Sequence, residues 1–253
     1  MVQFLYDGSF AGLLSAIFGI YERKNKDCRI VKSSRVEALV FLENIEVITD
    51  EKKAERVWKG LEQRVSQKTL SAIYWSFLSE EKGIEDVIYA LIHYIFRTKE
   101  NVESNFGNMS VLHIAQTARK VGREKHRFEA FVRFELIGPD FFYAPIEPDF
   151  NVLPILIPHF KSRYPAHDWI IYDTKRRYGI CYDKKSEQVN EITMDFEADK
   201  NEESHLVQEP KESYYQDLWK NYFNSVNIPV RKNTKLHLKH VPKRYWKYLV
   251  EKK

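Results

Sequence analysis

Three groups of residues in this sequence have the types and spacing to do chemistry. The first is Glu147-Pro-Asp149, two carboxylates at the end of an expected strand, with His159 on the helix that follows. Two carboxylates near a histidine suit an acid–base pair or a divalent cation. Asp149 fits a turn equally well, and Asn151 a helix cap. No His-Glu-x-x-His spacing accompanies them, so no metal is expected. The second group is Asp173, at the end of the apolar run Trp169-Ile-Ile-Tyr172, with Arg176 and Arg177 following in a turn. A sheet holds a strand-end carboxylate in a fixed place, and two adjacent guanidiniums in a tight loop can grip a phosphate bidentately. The plainer reading is a hairpin turn with exposed arginines. Asp173, Glu147 and Asp149 are therefore the candidate catalytic residues, and Arg176 and Arg177 the candidate phosphate ligands.

The third group closes the chain. Nine of the 40 basic residues and one of the 36 acids fall in residues 229–253, so the formal excess of +4 belongs entirely to this tail. Lys239, His240, Lys243, Arg244, Tyr245, Trp246 and Lys247 interleave cations with flat rings. Cations suit phosphates and rings suit stacked bases, so these seven are candidate nucleic-acid contacts. A solvated C-terminal face with Trp246 packed on the core accounts for the same pattern.

Other features exclude more than they assign. Glu124-Lys-His-Arg-Phe-Glu129 leads into Phe128–Ile137, which alternates and reads as a strand. Arg127, Glu129, Arg133 and Glu135 would then share one face, either the floor of a polar cleft or the solvated side of a half-buried sheet. Cys28 and Cys181 have no CxxC partner, which excludes a disulfide scaffold and a cysteine-rich zinc or iron–sulfur site and makes the reducing cytoplasm the default. GxSxG, P-loop and GxGxxG motifs are absent, so a serine hydrolase, a P-loop NTPase and a dinucleotide-dependent dehydrogenase are not expected, and no cofactor is assigned. No apolar run approaches the roughly 18 residues of a membrane span, and the Met-Val-Gln-Phe opening lacks the basic region of a secretory signal.

The elements that must position these groups follow from periodicity. Val2–Tyr6 reads as a strand, capped into a helix by Asp7-Gly8-Ser9, with Phe10, Leu13, Leu14, Ile17, Phe18 and Tyr21 at helical spacing. Glu43–Thr49 is a second strand, and Asp50 caps a helix to about Val65. Further helices are expected over Leu70–Leu78, Ile84–Phe96 and Val111–Val121. Beyond them the pattern changes to strands: Phe128–Ile137, Phe142–Ile146, a hairpin of Trp169–Tyr172 with Tyr178–Tyr182, and Val189–Met194. A helix over Val152–Tyr164, started by Asn151, interrupts them. Asp195–Glu212 is acidic and poor in large apolar residues, so it reads as a mobile loop. A helix over Tyr215–Val226 and a short one at Lys243–Leu249 complete the chain. The fold class is α+β, with a mostly helical first half and an antiparallel or mixed sheet built mainly from the second. One domain is expected, in which residues 1–122 are mainly helical, 123–194 are rich in sheet, 195–212 form the acidic loop, and 213–253 supply a helix and the basic tail.

Several blocks together carry a family pattern. They are Tyr6-Asp-Gly-Ser-Phe-Ala-Gly-Leu-Leu14; Phe128-Glu-Ala-Phe-Val-Arg-Phe134; Ile146-Glu-Pro-Asp-Phe-Asn-Val-Leu-Pro154; His159-Phe160; Trp169-Ile-Ile-Tyr-Asp173; Leu218-Trp-Lys-Asn-Tyr-Phe223; Val226-Asn-Ile-Pro229; and His240-Val-Pro-Lys-Arg-Tyr-Trp246. The sequence resembles, over nearly its whole length, a bacterial family of DNA metabolism or DNA repair proteins that is itself a domain of unknown function. Members are typically encoded beside a radical S-adenosylmethionine (radical SAM) protein, and some carry a fused uracil-DNA glycosylase domain, which is not expected here. The resemblance implies a DNA partner and a radical SAM protein partner. It carries no catalytic residues with it. Three readings stay open: a DNA-binding accessory protein in repair or modification, a DNA-acting hydrolase of glycosylase-like or nuclease-like type, and a structural adaptor without nucleic-acid contact.

Overall fold

The computed structural model describes residues 2–24, 27–35, 43–98, 101–138, 140–193, 212, 216 and 241–252. The chain divides into two compact units, Met1–Gly122 and Arg123–Lys253. Most helices lie in the first and the larger, mixed sheet in the second, so the fold is α+β.

In the first unit, β1 (Val2–Tyr6) is the centre of a three-stranded parallel sheet, between β2 (Cys28–Lys32) and β3 (Glu43–Glu46). The Asp7-Gly8-Ser9 turn launches α1 (Phe10–Arg23): the Ser9 Oγ accepts from the Gly12 amide at 2.9 Å, and Asp7 Oδ1 accepts from the Ser9 amide and hydroxyl. Gly8 sits at φ +91°, and a Cβ on Gly12 would come within 2.3 Å of Asp7 Oδ1, so both glycines in this opening block have a steric cause. Asp50 caps α2 (Glu51–Glu62) by accepting from the amides of Lys52 and Lys53. Helices α3 (Gln67–Phe77) and α4 (Ile84–Arg97) bury Ile73, Ile88 and Ile92 completely against Leu13 and Ile17 of α1. The strand β2 has no counterpart among the sequence expectations. It is short, two of its five residues are cationic, and only Ile30 is fully buried, so no alternation marks it.

Helix α5 (Met109–Phe131) runs ten residues past the end expected from sequence and takes in the first four of the expected strand Phe128–Ile137. The cause is visible in its spacing. Val121, Glu124 and Phe128 recur at helical intervals and are all buried, while Lys125 and Glu129 pair across one turn. Arg127 and Glu129 are therefore helical, and the shared strand face with Arg133 and Glu135 does not exist.

The second unit is organised around a five-stranded sheet in the order β4 (Glu135–Gly138), β5 (Phe141–Ile146), β6 (Asp168–Asp173), β7 (Tyr178–Asp183), β8 (Gln188–Ile192). All pairs are antiparallel except β5 and β6, which α6 (Leu153–Arg163) joins as a crossover. Asn151 is not the cap of α6. Val152 holds that position, and the Asn151 side chain instead accepts from the Tyr178 hydroxyl. Leu153, Leu156 and Phe160 of α6 are buried, as are Trp169 and Ile171 of β6. Among the described residues, no helix is long and apolar enough to cross a membrane. The expected helix Tyr215–Val226 lies, but for Gln216, outside the described residues. So does the acidic loop apart from Glu212, which is 5% exposed and accepts from the Leu136 amide.

Candidate functional site: a carboxylate clamp on the basic tail

The β6–β7 hairpin turns through Thr174-Lys175-Arg176-Arg177, with Asp173 opposite Tyr178 in register. Asp173 has no exposed surface. Its Oδ1 accepts from the amides of Lys175 (2.9 Å) and Arg176 (3.1 Å), and its Oδ2 from Arg176 Nη1 (2.8 Å). Both oxygens thus brace the turn, as an aspartate in this position does. The Arg176 guanidinium reaches on to the carbonyls of Pro148 (3.1 Å) and Asp149 (3.0 Å), and Lys175 Nζ also reaches the Asp149 carbonyl. Arg177 is exposed and takes the left-handed conformation, φ +58°.

The Glu147–Asp149 loop is held from its other side by the tail. Lys243–Tyr248 form a short 3-10 helix, close to the helix the sequence predicts, followed by another over Val250–Lys252. Arg244 Nη2 donates to Glu124 Oε1 at 2.8 Å, and Arg244 Nη1 contacts the Asp149 carboxylate. Lys247 pairs with Glu147, whose Oε2 also accepts from the Tyr248 hydroxyl at 3.1 Å. The same hydroxyl lies 3.3 Å from Thr174 Oγ1, so the tail and the hairpin turn meet at one loop.

Glu124 is the centre of this arrangement, and sequence reasoning missed it. The side chain is 1% exposed. Its carboxylate accepts four bonds: from the amides of Asp149 (3.1 Å) and Phe150 (2.8 Å), from Arg244, and from the Tyr245 hydroxyl (3.2 Å). Burial pushes its pKa above the usual carboxylate value, although the Phe150 amide and the Arg244 charge pull the other way. Glu147 shows the opposite: the hydrogen bond from Lys247 leads the causes that hold it below its usual value. The one trace of Glu124 in the sequence is its place on the Val121–Phe128 face, where a helix would bury it.

The rings of the tail divide by role. Tyr245 is 3% exposed and packs edge-on against Phe128, centroids 5.1 Å apart, and beside Phe131, which leaves no ring face for a base. Trp246 is half-buried, donates Nε1–H to the Val241 carbonyl and carries Lys252 Nζ 5.3 Å over its ring. Lys239 and His240 lie outside the described residues. His159 stands with Nδ1 3.9 Å from Glu129. Among the described residues no cluster of three or more histidine, cysteine or acidic side chains is placed to hold a metal.

The structure therefore brings Glu147, Asp149, Asp173, Arg176, Arg244 and Lys247 together, with every carboxylate engaged by a cation. Three cations, Arg176, Arg244 and Lys247, pair with the four carboxylates Glu124, Glu147, Asp149 and Asp173, and Lys175, Arg177 and Lys243 are their neighbours in the chain or on the loop. Lys175, Arg177 and Lys243 are exposed.

No curated protein matches the chain. Among solved structures, the pGpG-specific phosphodiesterase PggH from Vibrio cholerae aligns with 71% of this chain and 80% of its own, at 9% identity and a TM-score of 0.31. At that score neither fold nor chemistry transfers. The family comparison covers most of the chain: residues 82–251 match the family model of DUF4130, a domain of unknown function, and the chain belongs to that family.

Proposed function

We propose that this protein binds DNA as an accessory to a repair or modification enzyme, and that its contact surface is the hairpin turn with the docked tail. The observation that carries the reading is that exposed Lys175, Arg177 and Lys243 belong to the hairpin turn and the tail, two segments that meet through Thr174 and Tyr248 and are fastened by paired charges of their neighbours. Phosphates reward fixed cations, because a preordered side chain gives up less entropy on contact. Arg176, Arg244 and Lys247 act here mainly as fasteners, since carboxylates and carbonyls inside the protein already occupy them, whereas the exposed Lys175 gives one of its three donors to the Asp149 carbonyl and keeps two for a phosphate. Glu147, Asp149 and Asp173 serve to hold those fasteners, not to cut DNA. Half-buried Trp246 belongs to the same tail, and Lys239 and His240, outside the described residues, are proposed as further contacts from their sequence alone. The enzyme assisted is a radical SAM protein, as the family resemblance implies.

Fluorescence anisotropy with labelled 20-nucleotide single and double strands tests this. Binding at 50 mM salt should weaken steeply towards 200 mM, and the triple variant Lys175→Ala, Arg177→Ala, Lys243→Ala should lose most of that dependence while keeping its thermal stability. Equal binding by the wild type and the triple variant at low salt would sink the proposed surface.

A further inference from the structure

We infer that a groove among three helices of the first unit docks an amphipathic helix of a partner protein, one that carries lysine or arginine beside its apolar stripe. The groove has a volume of about 430 Å³ and is lined by α1, α2 and α3. From α2 it takes Glu51, Ala54, Glu55 and Trp58, the i, i+3, i+4, i+7 stripe of one helix face. From α3 it takes Gln67, Leu70, Ser71 and Tyr74 at the same spacing. Walls made of helix faces accept the side-chain ridges of a further helix, and each stripe is about 10 Å long, two helical turns. Phe10 of α1 meets Trp58 at 5.5 Å and Tyr74 at 5.1 Å, both edge to face, so the rings fix one another in place.

Rings and charge together select the occupant. Trp58, Tyr74 and Trp75 are half-buried in the lining, and their indole N–H and hydroxyl groups bond to no described residue yet keep surface of their own. Aromatic side chains with an apolar body and a free polar tip are the residues that anchor protein interfaces. Among the described residues the lining carries two carboxylates and no cation. Glu51 is exposed and pairs with no described residue. Glu55 pairs with Lys59 at 2.7 Å, but these side chains are 60% and 63% exposed, and an exposed pair within one helix is weak enough for a partner's cation to displace Lys59. Lys53 and Arg56 of the same helix lie over the Phe18 ring instead. Glu51 and Glu55 are one turn apart, so they favour cations along one flank of the incoming helix and disfavour phosphates. An accessory protein needs a surface for the enzyme it assists. That role of the partner rests on the DNA-binding reading; the groove and its chemistry do not.

Randomised 16-residue peptides displayed on phage and panned against the folded protein test the groove. The selected peptides should share an apolar stripe at i, i+3 or i+4, and i+7, flanked by lysine or arginine. Synthesised, they are titrated into the wild type and two variants by calorimetry, with thermal melts as the control for folding. Ser71→Arg, at a half-buried position in the α3 wall, fills the groove with a cation and should abolish binding. The double variant Glu51→Lys, Glu55→Lys, at two exposed positions, should weaken binding about tenfold, and changing a peptide's own cations to glutamate should restore most of that loss. Selected peptides without cations, peptides that bind all three proteins equally, or the selection of no peptide would overturn the groove. A dimer of this protein that Ser71→Arg dissociates would also overturn it, because a second copy would then be the occupant. Peptides that behave as expected on a protein that binds no DNA would leave the groove standing and overturn the DNA-binding reading alone.

Discussion

Removing Glu124 should release the tail from the sheet, and the size of the effect follows from its four hydrogen bonds. In Glu124→Ala the amides of Asp149 and Phe150 and the Tyr245 hydroxyl lose their acceptor inside the protein, and Arg244 loses its buried partner. A buried amide left unsatisfied costs about 1–3 kcal/mol, and breaking a buried ion pair from one side about 3–5 kcal/mol. These losses do not add. The Arg244 side chain is 37% exposed and can rehydrate, and Glu124 no longer has to be desolvated, so a net loss of about 3–5 kcal/mol is expected. Glu124→Gln preserves the shape but offers a single acceptor oxygen where two are used, and should cost about 1–2 kcal/mol. Urea unfolding of the single variants, of Arg244→Ala and of the double variant gives the coupling directly. It should be about 1–3 kcal/mol, and limited trypsin digestion should cut the Glu124→Ala protein first after Lys243, Arg244 or Lys247. A loss below about 1 kcal/mol, or additivity of the two changes within about 0.5 kcal/mol, would refute the clamp.

Other outcomes follow from the same geometry. Tyr245→Phe should keep the tail docked at a cost of about 1 kcal/mol, whereas Tyr245→Ala should lose about 3–5 kcal/mol because the ring is buried against Phe128; matched thermal melts compare them. Arg177→Gly should stabilise the hairpin by about 1 kcal/mol, since glycine takes φ +58° without strain, and should weaken DNA binding in the same preparation; a fall in both would contradict the assignment. The two clamp carboxylates should respond to pH with opposite signs. Glu147, held below its usual 4.5, contributes stability above that pH that is lost as acid titrates it through its folded pKa, and Glu147→Gln should flatten that loss. Glu124, raised above 4.5 by burial, binds more protons folded than unfolded. The stability advantage of the wild type over Glu124→Gln should therefore shrink as pH rises from 4.5 through the folded pKa, and an advantage that grows over that window would contradict the sign.

Local signals in this chain translated well into structure and distant ones did not. Ser9 and Asp50 cap helices where their side chains and the following apolar spacing place them. Trp169–Tyr172 and Tyr178–Tyr182 form the expected hairpin because both strands are bounded by a short polar turn. The end of α5 differs from the expected strand because Phe128, Ala130, Val132, Phe134 and Leu136 fall at every second position, while the helical period through Val121, Glu124 and Phe128 is carried partly by a carboxylate. Strand β2 escaped because its partner β1 lies more than 20 residues away and its own residues are mostly charged or half-buried. The residue types at the candidate site were legible, and Glu147, Asp149, Asp173 and the cations do meet. Their organisation was not. It depends on Glu124 reaching Arg244 across 120 positions, for which no local periodicity exists.

The central claim, that the clamp presents fixed cations to phosphates, is tested most directly by the salt dependence of DNA binding. With Lys175, Arg177 and Lys243 as the exposed contacts, the slope of log K against log salt should be about −2.7 for duplex and about −2 for single strands. Removing each of the three should flatten it by about one unit. A wild-type protein that is folded, shows the Glu124–Arg244 coupling, and yet binds neither form of DNA at low salt would contradict the account.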